Sequence, residues 1–301
     1  MTHTRTEIDP DVAENFSSKS VLITGCSTGI GLEAAVALAE RGHRVYASMR
    51  NLDKRHQLEE EVRRRNVSLR ILRIDITQPA TIRQGIRQII DETGSIYGIV
   101  NNAGLFLRGF FEDLSEDEIR ELFETNLFGT MAVIREALPY MRSAGQGRII
   151  IITSVAGYIG APAGSAYSAS RFAQEGFAES LHQELIPFGI HVTTVAPGIT
   201  STPDWTPNRY VARRATASES PYFAWFQNAQ ELFHQTMANS KNSPAEVAEI
   251  LHRVLTARRP RLRYVLGKRA RWVVRLRRYI PGELFTRVYF REVMKRITAK
   301  K

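Results

Sequence analysis

The sequence predicts an α/β protein built on a single doubly wound parallel sheet. Short apolar, β-branched runs alternate with helix-forming segments from Ser20 to about residue 266, and no Gly/Ser/Pro-rich linker interrupts them. The first such run ends in a glycine cluster that opens a helix. Sheets of this kind bind ligands beyond the carboxyl ends of their strands.

The elements follow in order. "SVLITG" (20–25) is an apolar run stopped by glycine, the pattern of a strand covered on both faces. "GIGLEAAVALAERGH" (29–43) is rich in helix formers, with Gly42 placed to end it. "RVYASM" (44–49) and "SLRILRID" (68–75) are the next strands. "QPATIRQGIRQIIDETG" (78–94) reads as a helix with Pro79 in its first turn and Gly94 after its last. "YGIVNNAG" (97–104) is a fourth strand, and residues 115–141 read as one long helix whose Ser115 and Glu118 fit a capping box. "GRIIIITS" (147–154) is a strand, "SAYSASRFAQEGFAESLHQEL" (165–185) a helix, and "IHVTTVAPG" (190–198) a sixth strand. "NSPAEVAEILHRVLTA" (242–257) is a helix capped by Ser243 with Pro244 at its first position, and "RLRYVLG" (261–267) is a last strand.

Composition narrows the function classes. One cysteine, Cys26, excludes an intrachain disulfide and points to a reducing compartment. The polar first eighteen residues lack a basic-then-apolar leader, and no run reaches the roughly 20 apolar residues of a membrane span, so a cytoplasmic protein is expected. The seven histidines are scattered without an HExxH pair, so no metal site is expected. The charge is uneven: residues 258–301 carry sixteen Lys/Arg against Glu283 and Glu292, whereas the rest of the chain is slightly acidic.

Two stretches speak to a dinucleotide. In "TGCSTGIG" (24–31), Gly25, Gly29 and Gly31 let backbone N–H groups and a helix N-terminus approach a pyrophosphate, with Ser27, Thr28 and Ile30 between them. The spacing is GxxxGxG, and a purely packing role for these glycines is the alternative. Cys26 in this loop is either a thiol acidified by the helix N-terminus or a small packing residue. After the second strand an acidic residue would favour a free ribose 2′-OH, but here Met49 is followed by Arg50, with Lys54 and Arg55 nearby. Arginine binds phosphate through paired hydrogen bonds, which favours NADP(H) over NAD(H). The alternative is that these cations only solvate the next helix.

"TGCSTGIG", "NNAG" (101–104), Ser154 thirteen residues before Tyr167, and "PGITST" (197–202) occur in the order of the short-chain dehydrogenase/reductase family, which residues 19–266 resemble. The likeness is greatest to members acting on hydroxysteroids, retinoids and similar bulky carbonyls, which share a "Y-x-x-x-K-F-A-x-E-G" helix. The resemblance implies cofactor contacts at Asp75 and Ile76, along Asn101, Asn102, Ala103 and Gly104, and at Pro197, Gly198 and Thr202. It implies that Asn126 bends a helix and holds a water in a proton relay, that Ser154 orients the substrate carbonyl, and that Tyr167 is the general acid/base. Asp75 as a cap, Asn126 as a kink residue and Ser154 as a turn residue remain the plainer readings.

The chain departs from the family at Arg171, where a lysine is usual. A free tyrosine titrates at about 10, so the chemistry uses a neighbouring cation to favour the tyrosinate. Arginine keeps the charge, but it is planar, bulkier and cannot release a proton. Slowed redox turnover with cofactor binding retained is therefore expected.

The resemblance implies that the region after the sixth strand covers the substrate; residues 203–240 are aromatic-rich, and Trp205, Tyr210, Tyr222, Phe223, Trp225 and Phe226 suggest an apolar lid suited to a bulky hydrophobic substrate. Phe106, Phe110, Phe111 and Tyr158 are further candidates for its walls, and ordinary core packing is the alternative for each. The chain divides on this reading into a polar arm (1–18), a nucleotide-binding domain (19–267) and a basic amphipathic extension (268–301). The extension suits either packing on its own domain or a second subunit, or contact with a membrane surface or hydrophobic carrier. No nucleic-acid reader motif is present. The leading function is hydride transfer to a bulky apolar ketone or aldehyde, or the reverse, and the family resemblance implies a homodimer or homotetramer. A non-redox cyclase or dehydratase, or a cofactor-binding protein without catalysis, is the alternative.

Overall fold

A computed structural model describes residues 19–200 and 209–299. Its core is a seven-stranded, wholly parallel sheet made of β1 (Ser20–Thr24), β2 (Arg44–Met49), β3 (Arg70–Arg73), β4 (Gly98–Asn101), β6 (Gly147–Ile152), β7 (Ile190–Pro197) and β9 (Arg263–Leu266), in the order β3-β2-β1-β4-β6-β7-β9. The order reverses between β1 and β4, which opens a crevice at their carboxyl ends. Two further three-residue strands, β5 (Phe106–Arg108) and β8 (Arg209–Val211), pair with each other in parallel outside the sheet.

The central strands are apolar throughout because both faces are covered. Val21 and Ile23 of β1 pack with Leu38 of α1 (Gly29–Glu40) and with Leu251 and Leu255 of α8 (Pro244–Thr256). Leu22 turns the other way, with Ile99, Ile149 and Ile151, onto α3 (Pro79–Thr93), α5 (Thr130–Ser143) and α6 (Ser165–Leu185). A short helix α2 (His56–Arg64) lies between β2 and β3. The Ser115/Glu118 capping box forms at the start of α4 (Glu116–Phe123), and a second one forms at Ser243/Glu246.

Residues 115–141 are not one regular helix. A π-helical turn at Glu124–Gly129 separates α4 from α5, and the buried Asn126 sits in it. Such one-turn bulges shift the helical face and often mark functional sites. The aromatic-rich segment also folds more regularly than its composition suggested, as helix α7 (Phe223–Ala238). The basic extension forms α9 (Lys268–Tyr279) and α10 (Gly282–Thr298). Both pack on the body of the chain: Val273 and Phe285 are buried with Ile159, and Ile297 is buried with Phe226. Among the described residues no helix is long and apolar enough to cross a membrane.

Candidate active site

A cavity of about 660 Å³ runs along the carboxyl ends of the central strands. Its first part is a backbone cradle. Gly25 and Gly29 have φ of +72° and +61°, a region that L side chains rarely occupy. A Cβ on Gly25 would lie 2.8 Å from Ala103 Cα. Ser27, Thr28, Gly29 and Ile30 line the cavity where α1 begins, and Thr28 makes no side-chain cap, so the first N–H groups of the helix face the opening. Gly31 does not reach the cavity. It lets α1 close on the loop, since a Cβ there would meet Gly25 O at 2.2 Å and Asn102 Nδ2 at 2.4 Å.

Asn102 and Thr24 hold this cradle. Asn102 Nδ2 donates to Thr24 O at 2.9 Å and Gly25 O at 3.0 Å, while Thr24 Oγ1 accepts from the N–H groups of Asn102 and Ala103, each at 3.1 Å. Asn101 instead turns inward, where its amide has no hydrogen-bond partner among the described residues. Cys26 is fully buried and donates to Ile23 O, and burial pushes its thiol up to about 12, so it is the packing residue and not an acidified thiol.

At the end of β2, Met49, Arg50, Asn51 and Lys54 line the cavity, and Ile74, Asp75, Ile76 and Thr77 form the adjoining wall. Asp75 Oδ1 accepts from Thr77 N and Thr77 Oγ1, so the carboxylate shapes its own turn and also borders the cavity. Ala103 and Gly104 line the middle of the cavity, and Pro197 and Gly198 line its opposite wall. Thr202 and Trp205 lie outside the described residues.

Ser154, Tyr167 and Arg171 all reach the cavity. Ser154 Oγ accepts from Ala156 N at 3.2 Å and so caps the turn after β6. The Tyr167 ring meets Phe106 edge-on at 4.5 Å, and its hydroxyl bonds to none of the described residues. The Arg171 guanidinium lies 5.1 Å from the Tyr167 ring centre. It is almost fully buried, and Nη1 donates to Ile152 O at 3.2 Å and to Gln174 Oε1 at 2.7 Å, while Nε has no partner among the described residues.

Asn126 does not line the cavity. Its side chain clamps Leu105, accepting from Leu105 N at 2.7 Å and donating to Leu105 O at 3.0 Å, and it also donates to Ser170 Oγ. This ties the segment after β4 to the helix that carries Tyr167. The Asn126 carbonyl is occupied by Thr130 Oγ1 and by Gln174 Nε2.

The substrate end differs from expectation. Of the expected wall aromatics, Phe106 lines the cavity. Phe226 is buried in the core, Phe110 stacks on Tyr222 beside Trp225, and Phe111 is exposed. Tyr158 donates to Glu175 Oε2, and burial raises its pKa. Helical periodicity explains the change: α7 turns Ala229 and Phe233, four residues apart, toward the cavity. Tyr289, Phe290 and Val293 of α10 complete the wall, together with Arg108. No motif in the sequence marks these residues or Gln174. The signal for Gln174 was its place three residues after Arg171 on the same helix face.

The glycine cradle, the open helix start and the unengaged Tyr167 hydroxyl fit a nicotinamide dinucleotide. Residues 19–210 match the family model described as short chain dehydrogenase. The chain is 32% identical over 292 residues to human 17-beta-hydroxysteroid dehydrogenase type 1, an alignment covering 93% of this chain and 87% of that protein. It is 33% identical to bovine retinol dehydrogenase 8, covering 89% and 88% of the two chains. Among solved structures, a short-chain dehydrogenase from Streptomyces avermitilis superposes with a TM-score of 0.77 at 28% identity, covering 94% of this chain and all of that one. An actinorhodin polyketide ketoreductase with NADPH does so at a TM-score of 0.69 and 27% identity, covering 83% and 95%. The chain belongs to the short-chain dehydrogenase/reductase family of NAD(P)-dependent oxidoreductases.

Proposed function

We propose that the protein is an NADPH-preferring reductase of bulky apolar ketones or aldehydes, or the corresponding alcohol dehydrogenase. The observation that carries this reading is the unengaged Tyr167 hydroxyl, set between a dinucleotide cradle and a wall of Phe106, Phe233 and Tyr289. When bound, NADPH supplies the hydride. Tyr167 gives its proton to the carbonyl oxygen, Ser154 donates a hydrogen bond to the same oxygen, and Arg171 supplies positive charge beside the ring. Asn126 holds the Tyr167 helix in register with the Leu105 segment. The basic end of β2 supports the phosphorylated cofactor. Arg50→Asp is expected to lower the NADPH-to-NADH ratio of kcat/KM by at least about tenfold, since a bidentate charge-assisted contact is lost. An unchanged ratio would remove Arg50 from the cofactor site.

The test of the function is NADPH oxidation with a panel of apolar ketones and aldehydes, preceded by a cofactor titration. The non-redox alternative is favoured by one observation, the locking of Arg171 by Gln174. Cofactor binding without oxidation on any member of the panel would select it.

We propose also that residues 268–301 act as a peripheral attachment on a nucleotide-binding body of residues 19–267, which assembles as a homodimer or homotetramer. On α9, Lys268, Trp272, Arg275 and Tyr279 share one stripe, and on α10 Leu284, Val288, Arg291 and Lys295 share another, all exposed. Alternating cations and apolar groups suit an anionic lipid surface. Co-sedimentation with phosphatidylserine vesicles is expected to fall at least severalfold in a Trp272→Ser/Tyr279→Ser variant. Equal pelleting would discard lipid contact.

A further inference from the structure

Among the described residues three arginines are buried: Arg108, Arg148 and Arg171. Arg148 donates to Gly147 O and Ala257 O, and Arg171 donates to Ile152 O and Gln174 Oε1. The guanidinium of Arg108 has no hydrogen bond and no ion pair among the described residues, although only 5% of the residue is exposed. It lines the cavity, at the substrate end. Its Cζ lies 4.2 Å from the Phe233 ring centre and 5.7 Å from that of Phe226.

Buried charge is retained in proteins when it is paired, because taking an ion out of water is costly. Two aromatic faces offset part of that cost and provide no hydrogen-bond acceptor. Burial alone depresses Arg108 to about 10, which leaves it charged near neutrality. The position is also rigid: β5 pairs with β8 through Arg108 and Val211, and Arg108 O accepts from Ala212 N at 2.8 Å. A chain of ring contacts links the cation to the reacting end. Tyr167 meets Phe106 at 4.5 Å, Phe106 meets Phe233 at 5.6 Å, and Phe233 lies against Arg108.

We propose that Arg108 is a substrate-binding residue that receives a carboxylate, so that the substrate is an oxo-acid with an apolar body between its carbonyl and its acid group. The proposal rests on the reductase reading above. The planar guanidinium matches a carboxylate with two parallel hydrogen bonds. A single cation in an otherwise apolar wall suits a monoanion better than a phosphate. Of the other cations lining the cavity, Arg50 and Lys54 follow β2 beside the dinucleotide cradle, and Arg171, beside Tyr167, already donates to Ile152 O and Gln174 Oε1. The carbonyl then lies at Tyr167 while the aromatic rings cover the spacer.

The test uses ω-oxo fatty acids of increasing chain length, each paired with its methyl ester, reduced by the full-length protein with NADPH. The products are the ω-hydroxy compounds and NADP⁺. The expected result is a kcat/KM for the acid above that for the ester by about ten- to a hundredfold at the best length, the range of a buried charge-assisted contact. Arg108→Leu and Arg108→Gln are expected to bring that ratio close to one, and Arg108→Lys to restore part of it. A second arm needs no turnover: a saturated fatty acid and its methyl ester are titrated into the protein with NADP⁺. Acid-selective binding that depends on Arg108, without reduction of any oxo compound, would uphold the carboxylate site and reject the reductase reading. Reduction of acid and ester at equal rates in the wild type, or a ratio unchanged by Arg108→Leu and Arg108→Gln, would overturn the proposal and leave the reductase reading standing.

Discussion

Replacing Tyr167 by phenylalanine is expected to lower kcat for carbonyl reduction by about 10²–10⁴-fold, the usual contribution of a positioned general acid. The substitution removes one hydroxyl that bonds to none of the described residues and keeps the ring that packs on Phe106. The thermal midpoint and the affinity for NADP⁺ should therefore stay near those of the wild type. That separation makes the variant informative, because loss of rate with loss of fold would say nothing about the proton. Retention of wild-type turnover within tenfold would show that another group supplies the proton, and the hydride-transfer mechanism through Tyr167 would be wrong.

The second large effect is expected at Arg171. Arg171→Met leaves Ile152 O and Gln174 Oε1 without their donor, which costs about 1–3 kcal/mol for each buried group left unsatisfied. It also removes the cation beside Tyr167, so turnover should fall by about a hundredfold or more, in line with one electrostatic group lost from a site. Arg171→Lys separates charge from shape. The lysine keeps the charge, but Gln174 Nε2 still occupies the Asn126 carbonyl, so the single substitution should alter cofactor affinity more than turnover. Removing Gln174 from that carbonyl as well, in Arg171→Lys/Gln174→Leu, leaves only Thr130 Oγ1 on it and opens its second acceptor site, and is expected to raise turnover above the wild type. Steady-state rates and cofactor titrations on the four proteins read both effects. If Arg171→Lys matches the wild type in both, the shape of the arginine is immaterial.

The sheet was legible because its central strands are short apolar runs set between helix-forming segments, and each of the six leading runs coincides with a strand. The π-helical turn was not, because one extra residue per turn leaves the apolar spacing of residues 115–141 nearly intact while rotating the face that follows. Strands β5 and β8 escaped notice for another reason: three residues are too few to show a period, and their pairing joins positions about a hundred residues apart. Part of the candidate site was legible from order alone. The cradle, Ser154, Tyr167 and Arg171 were identified by motifs and do line one cavity. Arg108 could not be found that way, since an arginine inside "LFLRGFF" reads as a surface cation until the fold buries it. The aromatics of α10 likewise gain meaning only from what packs against them.

The wall contributed by α10 separates two duties along the chain. Residues that border the dinucleotide cradle lie between Gly25 and Gly198, whereas Tyr289, Phe290 and Val293 belong to a different stretch of sequence. The far wall can therefore be rebuilt by substitutions in α10 that alter no residue of the cradle. Grip on the dinucleotide and the shape of the chamber beyond it are set by separate parts of the sequence and can change independently.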